Sequence, residues 1–158
     1  MQDGKALEAL IAELRQQEDE LQFTRFGNDE AIDLGMRFVA TARANRLAIA
    51  IDVQRNGQQL FHAALPGTSA DNDSWIVRKR NVVDRFGHSS YLVGSRWRAK
   101  GTTFEASSGL DPQRYAAHGG SFPLLVRGVG PVGTITVSGL PQVEDHELVV
   151  RVLREALA

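Results

Sequence analysis

LAIAIDVQ (residues 47–54), RNG (55–57) and QQLFHAAL (58–65) form the stretch on which the fold turns. An Asn-Gly pair suits a type I′ turn, because both central residues must take positive φ, and it lies between two runs of strand length. The stretch therefore predicts an antiparallel hairpin. Alternation places Leu47, Ile49, Ile51 and Val53 on one face and Ala48, Ala50, Asp52 and Gln54 on the other. The second face is small at its start, so something must pack closely there.

A second hairpin is predicted from 121–127 and 132–138, joined around Gly128-Val129-Gly130-Pro131. Helical spacing of apolar residues predicts helices over about 5–18, 29–44 and 143–157, the second N-capped by Asn28 with Ile32, Gly35, Met36, Val39 and Ala42 following. Residues 21–26 could form a short edge strand. Trp75, Lys79, Val82, Phe86, Ser90, Val93 and Trp97 fall on one stripe of a long helix, which Gly87 could bend. Residues 101–120 read as turns and short helical pieces.

Two hairpins separated by helices lack the strand-helix-strand crossovers of a doubly wound parallel sheet. The order predicts an α+β domain spanning 1–158, with a central antiparallel sheet built from the two hairpins and flanked by helices. The chain has 158 residues, 18 Lys+Arg, 19 Asp+Glu, 42% hydrophobic and 23% charged residues, an average balance that points to one globular domain. It has no cysteine, so disulfides, thiolate metal sites and cysteine nucleophiles are excluded. No apolar run nears the ~18 residues of a spanning helix, and MQDGK at the N-terminus does not read as a signal peptide. A cytoplasmic protein without membrane association is expected.

Lys79 interrupts the apolar stripe of the long helix. A buried ammonium must find a carboxylate, a ligand or a route back to water by snorkelling. With Arg78 it is a candidate for holding an anionic ligand. The run Arg78-Lys79-Arg80 spreads around the helix and has no clustered aromatics, so nucleic-acid binding is not expected. His62, His88, His118 and His146 have no zinc-motif spacing, and no metal site is predicted. His118-Gly119-Gly120 permits a tight loop with exposed N–H groups, able to hold an anion or simply to turn the chain. His146, after Asp145 in the first turn of the last helix, should be kept neutral by the helix dipole, as a ligand, a general base or a surface imidazole.

Three segments together resemble a known family: GTSADNDSWI (67–76) leading into RKRNVV (78–83) and FGHSSY (86–91); HGGSFP (118–123); and GPVGTITVSGLP (130–141) with Asp145-His146. They are similar to the haem-degrading domain family of the GlcG/HbpS-like type, in its branch of small cytoplasmic proteins. The resemblance implies a profilin-like, three-layer α/β/α arrangement and a homo-oligomer, and makes haem a possible ligand. The expected function is binding of a small anionic or haem-like molecule, with any haem degradation weak or accessory. Arg78, Lys79, His118, Gly119, Gly120, Ser138, Gly139 and His146 are the candidate ligand-binding residues. Two alternatives stand beside it: an oligomeric scaffold, with Trp75 or Trp97 at a subunit boundary, or an enzyme using His118 or His146 as general base.

Overall fold

The Asn-Gly turn forms as its residues require, with φ of +50° at Asn56 and +83° at Gly57. It joins β2 (Ala50–Arg55) to β3 (Gln58–Ala64). The computed structural model describes residues 3–158. Around this hairpin the chain runs α1 (Gly4–Glu20), β1 (Gln22–Phe23), α2 (Asn28–Ala44), then, after β3, α3 (Ala70–Phe86), α4 (Ser90–Ala99), α5 (Phe104–Ser107), β4 (Ser121–Val126), β5 (Gly130–Ser138) and α6 (Gln142–Leu157).

Five strands form one sheet in the order β1-β4-β5-β2-β3, so the two hairpins meet through antiparallel β5 and β2, with Ala50 opposite Ser138 and Val53 opposite Ile135. The short β1 pairs with β4 in parallel, which makes the sheet mixed rather than wholly antiparallel. The domain is α+β, as the two-hairpin reading required.

The faces of the sheet differ in chemistry. Ile49, Ile51, Val53, Phe122, Leu124, Ile135 and Val137 point to one side and bury against α2 and α6. By the two-residue alternation of the pleat, Asp52, Thr136 and Ser138 point to the other, where α3 packs. The small side chain of Ala48 has its reason in close packing with the loop after β3, where a Cβ on Gly67 would come within 2.8 Å of the Ala48 Cβ.

Local expectations change in three places. The long helix is two helices: Gly87 takes φ +72° and ends α3, and Ser89 caps α4 by accepting the Leu92 N–H at 3.2 Å. The N-cap of α2 is Gly27 rather than Asn28, with the Glu30 carboxylate accepting the Gly27 N–H at 2.7 Å. Along α2 the inward face is Ala31, Leu34, Gly35, Phe38, Val39 and Ala42, so Gly35, Val39 and Ala42 are buried as expected, whereas Ile32 and Met36 are exposed. Gly35 admits the Phe61 ring of β3, which a Cβ would overlap, and this close approach rotates the buried stripe away from Ile32. Among the described residues no helix is long and apolar enough to cross a membrane.

Candidate functional site around Lys79 and His118

The alternation that puts Ser138 on the α3 side of β5 also brings the end of that strand beside α3 and the start of α6. A cleft of about 270 Å³ opens there. Its floor is a buried ion pair. Lys79 and Asp145 are each 3% exposed, and Lys79 Nζ donates to Asp145 Oδ2 at 3.2 Å, to Val137 O at 2.5 Å and to Gly119 O at 3.1 Å. An ammonium has three N–H donors, and all three are used within the protein.

Lys79 therefore does not snorkel, and it has no donor left for an anion. Burial pushes its pKa down, opposed by the charge and hydrogen bond of Asp145. Burial pushes Asp145 up, opposed first by the Lys79 charge and then by hydrogen bonds from the Leu140 N–H, the ammonium and the Gly139 N–H. The HGG loop is fastened to this floor. Gly119 gives its carbonyl to Lys79 and its N–H to Gln142 Oε1 at 3.0 Å, while Gly120 takes φ +134° against Lys79. The loop's Gly119 N–H is thus engaged internally.

The mouth of the cleft is aromatic and more open. The His118 ring lies 5.4 Å from the Trp75 ring, and the Arg78 guanidinium sits 4.2 Å from the Trp75 centroid, where a cation–π attraction operates. Arg78 Nε donates to Pro112 O at 3.0 Å. His118 Nε2 lies 3.3 Å from Glu105 Oε1, with 41% of its side chain exposed. Asn72 at the start of α3 donates to the Ser138 hydroxyl at 3.3 Å, closing one wall.

Of the eight candidates, Lys79, His118, Gly119, Ser138 and Gly139 line the cleft, with Gly120 under its floor and Arg78 on its rim. His146 is elsewhere. It is 2% exposed, its ring lies 5.1 Å from Tyr91 and 6.0 Å from Phe122, and its Nε2 donates to Gln17 Oε1 at 2.8 Å. Its pKa is lowered to about 4 by burial. The ring is neutral as expected from the helix terminus, but desolvation is the cause, and the ring faces core rather than ligand. The sequence left Lys79 three outcomes, a carboxylate, a ligand or a route back to water, and gave no means of locating Asp145, 66 residues away. Asn72 and Gln142 gave no signal, since each looks like any polar residue near a helix start.

The basic run divides among three fates: Arg78 stacks on Trp75, Lys79 pairs with Asp145, and Arg80 lies 3.6 Å from Asp52. His62 and His88 are also committed, to Asp73 at 2.7 Å and Glu18 at 2.6 Å.

A model of the haem-degrading protein HbpS-like family matches residues 26–154, which include the whole sheet partnership of β2 to β5 and the cleft. The chain belongs to the HbpS-like family. Within it, the chain is 66% identical over 143 residues to a UPF0303 protein of Streptomyces coelicolor, covering 90% of each. The crystal structure of the Ybr137w protein superposes with a TM-score of 0.83 at 34% identity, covering 97% of this chain and 94% of that one. The structure of a PduOC:heme complex shares the fold, with a TM-score of 0.68 at 14% identity over 83% of this chain and 94% of that one. In this HbpS-like chain the family match thus takes in every candidate residue, from Arg78 to His146.

Proposed function

We propose that this HbpS-like protein binds a planar, haem-like ligand at the mouth of the cleft, against Trp75 and His118. The observation that carries the reading is the partition of the cleft. Its floor, Lys79–Asp145 with Gly119, is buried and saturated by internal hydrogen bonds, whereas at the mouth His118 and Arg78, though they touch Glu105, Trp75 and Pro112, keep surface exposed to an incoming molecule. The cavity itself, about 270 Å³, falls just below the ~300–1,000 Å³ usual for pockets that enclose a ligand. A large flat ring would therefore lie across the opening with one side exposed.

The residues fit haem in kind. His118 is the one histidine lining this cleft, its imidazole can present a ring nitrogen to iron, and Arg78 is placed to meet a carboxylate. Bound haem would supply redox and oxygen chemistry. Around it Asp145 is held by Lys79 and His118 is open to solvent, so neither of these cleft residues is a buried acid or base free to move a proton. Binding, with degradation weak or accessory, is the activity this arrangement favours, and the protein of a relative solved with heme lends support through the shared fold. A homo-oligomer is proposed with it, since α2 exposes Ile32 and Met36, at 45% and 53%, on a face with no partner in the single chain.

Titrating haemin into the protein and following the Soret band tests the reading. A shifted band that saturates at one haem per chain, and weakens strongly in His118→Ala, is expected. No shifted band at micromolar protein, or a band indifferent to His118, would overturn it.

A further inference from the structure

Asp52 stands directly opposite His62 across the β2–β3 ladder, so the two side chains share the α3-facing side of the sheet. There, on the flank of α3 away from the Trp75–His118 cleft, a second hollow of about 280 Å³ lies among Asp52, Gln59, His62, Asp73, Ile76 and Arg80. Asp52 is 1% exposed. Its Oδ1 accepts from Gln59 Nε2 at 2.6 Å, but its Oδ2 is buried without a hydrogen-bond partner among the described residues. The nearest cation, Arg80 Nη1, stops at 3.6 Å, close enough to pair charges and too far to donate a hydrogen bond.

A buried carboxylate oxygen left without a donor is costly, and native structures seldom leave one without a reason. We propose that this hollow binds a small zwitterion of the amino-acid type, with its ammonium on Asp52 Oδ2 and its carboxylate on the Arg80 guanidinium. The insertion is charge-neutral. The ligand's ammonium takes the place beside Asp52 that Arg80 fills only loosely, and its carboxylate gives the displaced guanidinium a bidentate partner. A ligand with one charge does worse. A simple cation would leave Arg80 facing a second positive charge, and a simple anion would meet Asp52 and Asp73.

The surroundings agree with that choice. Ile76 and Val77 supply an apolar wall for a short side chain, and the His62–Asp73 pair at 2.7 Å closes the rim. Burial pushes the pKa of Asp52 up, helped by the Asp73 charge and opposed by the Gln59 hydrogen bond and the Arg80 and His62 charges; Asp84 is also pushed up, by burial and the Asp52 charge against the charge of Arg80. An ammonium placed on Asp52 would relieve that cost.

The test is an NMR titration of backbone amides in β2 and β3 with glycine, L-alanine and L-valine, against acetate and methylammonium, up to about 20 mM, the range of millimolar affinity. Saturable shifts around Asp52 and His62 with the zwitterions, at least tenfold weaker with either single-charge analogue, are expected. Asp52→Asn and Arg80→Gln should each abolish them while leaving haemin binding at the other cleft unchanged. The ligand series uses the unaltered protein, so it stands even where a variant folds poorly. No saturable shift with any zwitterion, which would leave bridging water as the occupant, or equal binding of acetate or methylammonium, would overturn the proposal.

Discussion

Replacing Lys79 with methionine removes the ammonium but keeps most of the side chain's length and volume. Asp145 is then buried without its counter-charge, and the carbonyls of Val137 and Gly119 lose their donor. Breaking one partner of a buried ion pair costs about 3–5 kcal/mol. At about 2–4 °C per kcal/mol for a chain of this size, the melting temperature should fall by roughly 6–20 °C. Burial outweighs mutual attraction on both partners, since the carboxyl is raised and the ammonium lowered. The pair is therefore no net gain over water, and Lys79→Met combined with Asp145→Leu should recover the part of the loss that comes from the unpaired carboxylate, while the Val137 and Gly119 carbonyls and the Leu140 N–H stay without their partners. Lys79→Met, Asp145→Leu and the double variant are compared with wild type by urea unfolding at pH 7, the four giving the coupling as a double-mutant cycle. The linkage has a definite sign: lowering the pH from above the raised pKa of Asp145 toward the ordinary carboxylate range favours the folded chain. A loss under about 1 kcal/mol in the single variant would refute the reasoning, because surface pairs behave that way.

Three further outcomes are expected. His146 is neutral when folded, so stability is full above its ordinary pKa of 6.5 and falls as the pH drops from there to about 4, by about 3 kcal/mol in all; the difference between wild type and His146→Leu, measured by urea unfolding across this range, should shrink by that amount. Gly35→Ala should destabilise by about 1–3 kcal/mol through overpacking against Phe61, and a thermal melt that matches wild type would contradict the close contact. Glu18 accepts from His88 Nδ1 and from the Ser89 N–H at 3.0 Å, tying α1 to the start of α4, so Glu18→Ala should cost about 1–3 kcal/mol and speed amide exchange at Ser89.

The fold was legible where local chemistry is decisive. Asn56-Gly57 specifies its turn by backbone conformation alone, and alternation in residues 47–54 separated a core face from a polar one before any partner was known. What failed depended on distant contacts. The apolar stripe from Trp75 to Trp97 predicts one long helix bent at Gly87, yet the two-residue stop before Ser89 follows from a left-handed glycine and a new cap that packing against α1 holds in place. Helical spacing allows two overlapping apolar stripes on α2, one with Ile32 and Met36 and one with Ala31, Leu34 and Phe38, and the Phe61 ring lodged on Gly35 favours the second. At the site, the need of a buried Lys79 for a carboxylate, a ligand or water was visible, but the choice of Asp145 was not, since the meeting of α3 with the first turn of α6 is a matter of topology. His146 misled for a related reason. Its position in that first turn suggested an accessible ring, whereas α1 covers it through Gln17, far off in sequence.

The central claim is that ligand recognition belongs to the aromatic mouth of the Trp75–His118 cleft and that Lys79 and Asp145 serve as its floor. A crystal structure of the protein grown with equimolar haemin tests this most directly. The account predicts flat density against Trp75 and His118, with Lys79 still bonded to Asp145, Val137 and Gly119. Density against His62 or His88 instead, or a Lys79 side chain turned from Asp145 toward the ligand, would contradict it.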